Sequence, residues 1–256
     1  MTKNFKGTVQ SVSRAMELLD LIADKKKPLS LAELAEAMDW PKSTVHGLIS
    51  TLRDYDYVSQ SELDGKYYLG IRLFELGNLL QSTWDVHSAA RPVMVKLNTQ
   101  FNETVHLAAE EKGEVLYLEK IDSNRLFQIV SKVGSRLPMH CTGVGKVLLA
   151  YRPISEARRI LQKKPMQAYT GKTITTLKAM ERELKVIRER GYACDNGEVM
   201  DGLWCAAAPI YDNNGDVRFA LSISGFYENM YKNSESIIKE LLKACKTIST
   251  EIGYRA

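Results

Sequence analysis

The stretch 29-LSLAELAEAMDWPKSTVHGLISTLR-53 decides how the first part of this chain folds. It holds two short runs with apolar residues at helical spacing, separated by Asp39-Trp40-Pro41-Lys42. In the first run Ser30 precedes Glu33 by three positions, so hydroxyl and carboxylate can satisfy free amides of a first helical turn, and Leu31, Leu34, Ala35 and Met38 predict its buried stripe. In the second, Pro41 suits a first turn because its missing amide hydrogen is not needed there, and Val45, Leu48, Ile49 and Leu52 are predicted to point inward. That leaves Ser43, His46, Gly47 and Ser50 outward, with Lys42 and Thr44 at the leading end. Small hydroxyl side chains at a helix start let the backbone come close to base edges and phosphates, where bulky charges would hold it away.

Working outward, Val12, Ala15, Met16, Leu19, Ile22 and Ala23 predict an earlier helix ended by KKKP. Downstream, YVSQSELDGKYYLG alternates like a strand pair around Asp64-Gly65, a dipeptide suited to a tight hairpin turn. Three short helices and a hairpin form a winged helix-turn-helix pattern over residues 1–70. On that reading Lys42, Ser43, Thr44, His46, Gly47 and Ser50 face a duplex groove, amides near Ser43 and Thr44 favour a phosphate, and Lys66 adds a contact from the wing. Residues 1–70 carry nine Lys/Arg against ten Asp/Glu, so a bulk positive field is not the attraction. The competing reading is a small helical bundle whose polar face merely meets water. Capping box, proline, hydroxyl cluster and hairpin agree in order and spacing, which favours DNA.

The full chain has 256 residues, 45% of them hydrophobic, enough for two modest domains. No run approaches the length of a membrane span and the N-terminus lacks the apolar core of a secretory signal, so a cytoplasmic protein without membrane contact is expected. Cys141, Cys194, Cys205 and Cys245 are scattered without CxxC spacing, and they are expected to be free thiols with no metal or other cofactor. Residues 71–101 carry Leu73, Leu76, Leu80 and Trp84 at helical spacing, interrupted by Gly77, with Pro92 either starting a new helix or kinking a continuing one. This linker helix either sets the separation of two DNA-binding heads or simply packs on its own chain.

Residues 102–256 read as an α+β domain. ETVHLAAEE, EVLYLEKID and LFQIVSKVG predict an antiparallel meander, helical patterns follow, and LWCAAAPIYD and VRFALSISGF flank the turn at 213–215 before a closing helix. In CTGVGKVLLA, Thr142 stands at a helix start and the amides of Gly143 and Val144 can receive an anion. It is not a Walker loop, because His140 stands where a glycine is required and Val147 where Ser or Thr is. Ser222 and Ser224 share one face of their strand, and Leu203 and Cys205 likewise share a face of theirs; serines inside an apolar domain need hydrogen-bond partners, which a polar ligand could supply or neighbouring backbone or water could.

The segments VQSVSRAMELLDLI, LSLAELAEAMDWPKSTVHGLISTL, YYLGIRLFELG, HCTGVGKVLLAY and RGYACDNGEVMDGLWCAAAPIYDNNGDVRFALSISG together resemble the IclR family of bacterial transcriptional regulators. The resemblance covers nearly the whole chain. It implies an N-terminal winged helix-turn-helix and a C-terminal GAF-like α/β effector-binding domain, in a homodimer or dimer of dimers that controls a catabolic operon, with repression the expected sense. It further implies that Leu126, Ile129, Leu137, Gly143, Val144, Asp195, Leu203, Cys205, Ser222 and Ser224 surround a small organic acid or sugar acid. In that scheme the Gly143 and Val144 amides take the carboxylate, Asp195 and the serines bond hydroxyl or keto groups, and the leucines and Ile129 form the apolar wall. This chain departs from the family in having Gly47 where a basic residue is common, and Trp204 where Arg commonly precedes the cysteine, which is expected to alter the pocket rim. The alternative is a ligand sensor without specific DNA binding, or an enzyme. Cys205, His140 and Asp195 could make a nucleophilic triad on paper, but so could any three such residues, and no catalytic residue is assigned.

Overall fold

A computed structural model describes residues 9–82, 85–125 and 131–255, and the chain divides into two compact units, positions 1–83 and 84–256. The first unit opens with α1 (Gln10–Lys25), α2 (Leu31–Met38) and α3 (Lys42–Asp54), followed by a hairpin of β1 (Val58–Gln60) and β2 (Tyr67–Leu69) and by α4 (Ile71–Ser82). The capping box at α2 is complete: the Glu33 amide donates to Ser30 Oγ at 3.3 Å and the Ser30 amide to Glu33 Oε2 at 2.7 Å. Leu34 and Ala35 of α2 and Val45, Ile49 and Leu52 of α3 meet Leu18, Leu19 and Ile22 of α1 in one core, closed by Leu29, Val58 and Tyr67.

Three details differ from the sequence-based expectation. Val12 and Met16 are 56% and 51% exposed, while Leu18 is fully buried. The helix carries two apolar stripes, and periodicity alone does not say which one faces its own domain. Secondly, the hairpin is not closed by a tight Asp64-Gly65 turn. Gln60 pairs with Tyr67, and the segment between them is held by the Ser61 amide on Lys66 O and the Gly65 amide on Ser61 O. Gly65 takes a φ of 67°, the left-handed region that glycine occupies without a steric cost. Thirdly, the Thr44 amide is not free for a phosphate, because it donates to Pro41 O at 3.0 Å.

The second unit starts with α5 (Asp85–Phe101), in which Pro92 lies inside a continuing helix. Strands β3 (Thr104–Glu111), β4 (Glu114–Ile121) and β5 (Arg136–Pro138) form the first meander. The turn between β3 and β4 has positive φ at both Lys112 and Gly113, the hairpin geometry that matches strand twist. The expected strand LFQIVSKVG lies partly outside the described residues; the strand paired to β4 is instead Arg136–Pro138. Next come α6 (Gly143–Ala150), α7 (Ile154–Lys163) and α8 (Leu177–Arg190), then β6 (Ala193–Asp195), β7 (Leu203–Tyr211), β8 (Val217–Phe226), the short α9 (Tyr227–Lys232) and the closing α10 (Ser234–Glu251). Neither β6 nor α9 has a pattern long enough to be read from sequence.

The six strands make one antiparallel sheet in the order β5-β4-β3-β8-β7-β6, so each meander runs as a unit and the two join where β3 pairs β8. Alternation divides the sheet into two faces. Val105, Leu107, Ala206, Leu221 and Ile223 pack with α5 and α10, and Ala108, Val115, Ala207 and Ala220 pack with α6, α7 and α8. Met94 and Leu97 of α5 are therefore core residues of this unit. The Leu80 side chain and Trp84, read from sequence as part of a linker stripe, lie outside the described residues.

The capping box gives a direct check on the first unit. Ser30→Ala should lower its stability by about 1 kcal/mol, seen as a lower denaturation midpoint by circular dichroism; an unchanged midpoint would show that the cap contributes nothing.

Candidate functional site

On α3, Lys42, Ser43, His46 and Gly47 are exposed, and Thr44 and Ser50 half-buried, while the opposite stripe fills the core. Pro41 stands just outside the helix as its N-cap rather than inside the first turn. The wing is tied to α3 by Arg53 Nη1 donating to Gln60 Oε1 at 2.8 Å, and Gln60 Nε2 donates in turn to Gly65 O at 2.9 Å. Lys66 Nζ sits 3.5 Å from Asp64 Oδ2, so part of its charge is answered within the wing. A Cβ built on Gly47 would meet nothing within 4 Å. No close packing inside the unit requires glycine there.

In the second unit a cavity of about 440 Å³ opens on the sheet face covered by α6. Strand register assembles its floor. Asp195 pairs with Cys205, Cys205 with Ser224 and Ser224 with Thr104, while the adjacent row runs from Ala207 through Ser222 to His106 and Lys120. Leu137, Leu203, Gly143 and Val144 border the same space. The structure thus brings together every described residue that the resemblance assigned to the effector pocket; Leu126 and Ile129 lie outside the described residues. His106, Tyr117, Ser131, Thr142, Val199, Met200, Asp201 and Phe226 complete the lining. His106 and Tyr117 sit on strands that the sequence reading placed. What it could not supply is the register that turns them toward the serines.

The wall opposite the sheet is the start of α6. Thr142 Oγ1 accepts from the Gly145 amide at 3.2 Å and donates to Pro138 O at 3.0 Å, and Thr142 O accepts the Lys146 amide. Among the described residues no hydrogen bond engages the amides of Gly143 and Val144. The two glycines have steric causes. A Cβ on Gly143 would stand 3.1 Å from Cys205 Sγ, and one on Gly145 would overlap the Met139 carbonyl oxygen. Behind this wall Lys146, 1% exposed, donates Nζ to a Glu198 carboxylate oxygen and to Cys194 O at 2.7 Å.

Burial governs the ionisable groups. It raises the Asp195 carboxyl to about 6, against the opposing hydrogen bond from the Glu198 amide and the attraction of Lys146. Burial also pushes the Cys205 thiol up to about 12, with the charge of Asp195 adding and hydrogen bonds from Ser224 and Ser222 opposing. Such a thiol is not a nucleophile at neutral pH. His140 does not join it; His140 Nε2 lies 3.0 Å from Gln167 O and the ring lines a different hollow, beside Tyr169. The paper triad of Cys205, His140 and Asp195 is not assembled. Trp204 is not at the pocket rim either: it is 5% exposed and packs in the core beneath α5 and α10, because strand alternation turns it away from Leu203 and Cys205.

Residues 11–62 match the IclR helix-turn-helix domain, and residues 79–250 match the bacterial transcriptional regulator IclR C-terminal domain. The chain is 32% identical over 249 residues to the HTH-type transcriptional regulator XynR of Escherichia coli, covering 97% of this chain and 99% of that protein. It is 31% identical over 221 residues to the acetate operon repressor of Salmonella typhimurium, covering 86% and 81%. Among solved structures, an IclR homologue from Microbacterium hydrocarbonoxydans complexed with 4-hydroxybenzoate superposes with a TM-score of 0.85 at 26% identity, covering 95% of this chain and 99% of that one.

Two measurements test these local assignments. Because Asp195 prefers to be neutral in the folded protein, its contribution to stability is complete below the ordinary value of 3.8 and is lost as pH rises through about 6. Asp195→Asn removes that ionisation, so between pH 4 and pH 7.5 the wild type should lose roughly 2 kcal/mol more than the variant; parallel profiles would show that the carboxyl is not raised by burial. Gly47→Ala should stabilise the first unit by about 0.5–1 kcal/mol, and a destabilised variant would reveal a packing demand at Gly47.

Proposed function

Because the chain belongs to the IclR family of bacterial transcriptional regulators, we propose that it represses a catabolic operon and that a small organic acid or sugar acid in the cavity beneath α6 controls it. The chain is a DNA-binding regulator and not an enzyme. The observation that carries the effector reading is the cavity itself. Two helix-start amides unengaged among the described residues, a buried carboxyl and the Ser222–Ser224 pair border one space of about 440 Å³ whose remaining wall is largely apolar. Amides and helix dipole suit a carboxylate, and the serines suit hydroxyl or keto groups. An acid shifts the regulator only as far as its affinity differs between the DNA-binding and released arrangements.

The DNA contacts are assigned to Lys42, Ser43, Thr44, His46, Gly47 and Ser50 on α3 and to Lys66 on the wing. Ser43, His46 and Gly47 support this most directly, being exposed on a helix whose other side is fixed in the core. A single head with nine basic and ten acidic residues in positions 1–70 binds weakly, so two heads on a near-palindromic site are needed. A homodimer or dimer of dimers in the cytoplasm is the assembly proposed. Its support is the second apolar stripe of α1, with Val12 and Met16 at 56% and 51% exposure just after the N-cap Val9 at 65%, and Ile71 and Phe74 of α4 at 60% and 66%. Apolar side chains exposed in series mark an association surface.

Mobility shifts with DNA upstream of the neighbouring genes test the reading. Specific retardation should weaken steeply with salt, disappear with Ser43→Glu through repulsion from phosphate, and be relieved by the cognate acid. Retardation that survives Ser43→Glu would move the DNA surface away from α3, and an absence of specific retardation at low salt would leave the chain a sensor without an operator.

A further inference from the structure

Among the polar residues of the cavity that the effector reading above leaves without a role, His106 is the one with an orphaned ring nitrogen. His106 on β3 is 2% exposed, and its ring lies 4.7 Å from that of Tyr117, centroid to centroid. Nε2 is 2.7 Å from Ser131 Oγ, whereas Nδ1 is buried and has no hydrogen-bond partner among the described residues. An orphaned buried polar atom is costly, and in a residue that borders a cavity it marks a place where a ligand group can complete the hydrogen bonding.

We propose that His106, oriented by Ser131, is a specificity residue that selects effectors carrying a hydroxyl group at the end remote from their carboxylate, the hydroxyl hydrogen being donated to Nδ1. The proposal rests on the carboxylate-effector reading and deepens it. Two arrangements satisfy the 2.7 Å contact. Either Nε2–H donates to Ser131 Oγ and leaves a bare lone pair on Nδ1, or the serine donates to Nε2 and leaves a bare N–H at Nδ1. Buried N–H groups without partners are rarer in proteins than buried acceptors without donors, so the first arrangement is favoured. It makes Nδ1 an acceptor, matched to a donor on the ligand.

Charge works the same way. The ring is kept neutral by burial, which lowers His106 to about 3, reinforced by the nearby charge of Lys120. Lys120, opposite His106 in the ladder, is itself occupied by Asp122 at 2.6 Å and by Ser131 O at 2.9 Å. A neutral acceptor prefers a hydroxyl to a second carboxylate, which it would repel with its lone pair. Position fixes the spacing. Gly143, beside the amide pole, abuts Cys205 on β7, and His106 stands on β3, with β8 between them. Two strand spacings amount to roughly 9–10 Å. The two recognition points therefore suit a carboxylate and a hydroxyl separated by a ring or a chain of several carbons, with the Tyr117 ring beside the spacer.

Matched ligand pairs on the full-length protein test the assignment: 4-hydroxybenzoate against benzoate, and 6-hydroxyhexanoate against hexanoate, by titration calorimetry. The wild type should favour the hydroxylated member of at least one pair by about tenfold. His106→Phe should abolish that preference while still binding the plain acid, and Ser131→Ala, at a half-buried position, should reduce it without threatening the fold. A wild type that binds both members alike, or a His106→Phe protein that keeps the preference, overturns the proposal and leaves the carboxylate reading standing. Failure of every acid to bind sinks both. Independently of any ligand, long-range ¹H–¹⁵N correlation spectra of histidine-labelled protein should show His106 neutral with its proton on Nε2 from pH 6 to 8; a proton on Nδ1 would refute the assignment.

Discussion

The cavity owes its shape to one ammonium group in the wrong solvent. Lys146 is 1% exposed, and removing such a charge from water costs several kcal/mol unless its partners are well placed. The partners are the Glu198 carboxylate and the Cys194 carbonyl, with Glu183 Oε1 a further 3.6 Å away. One belongs to β6 and one to the segment that follows it, so α6 cannot slide along the sheet without separating buried charges. The tight seating of Gly143 against Cys205 and of Gly145 against Met139 is the steric side of the same constraint. Together they hold the first amides of α6 over the row formed by Asp195, Cys205 and Ser224.

Glu198 is fastened at three points. Its amide donates to Asp195 Oδ1 at 2.6 Å, its carboxylate receives Lys146, and its carbonyl accepts from Thr173 Oγ1 at 2.6 Å. The residues just beyond it, Val199, Met200 and Asp201, border the cavity. Burial raises the Glu198 carboxyl and Lys146 lowers it again, so the pair stabilises each other's charge rather than the fold in general. Replacing one partner alone would strand the other in an apolar setting.

Much of this architecture is readable in the sequence because it rests on local rules. The capping box at Ser30 and Glu33, the stripe of α3 and the two-residue alternation of β8 each follow from the chemistry of neighbouring residues. Where the reading failed, the deciding contact was not local. Val12 and Met16 fit a buried stripe as well as Leu18 does, and packing against α3 and β2 chooses between them. Trp204 looked like a rim residue until register showed it facing α5 and α10. His106 went unassigned because its neighbours Ser222 and Ser131 are distant in sequence, and nothing in ETVHLAAEE announces them. The ion pair of Lys146 was invisible for the same reason, its partner Glu198 lying 52 positions further along the chain.

Along β8 the residues that meet the cavity and those that meet α10 take turns, Ser222 and Ser224 on one side, Leu221 and Ile223 on the other. The same interleaving holds on β7, where Leu203 and Cys205 flank Trp204. Cavity lining and domain integrity are thereby written in separate, interdigitated alphabets on a single strand. Descendants of such a chain can exchange the letters of one alphabet to reshape the cavity while leaving the other, which packs the domain, untouched.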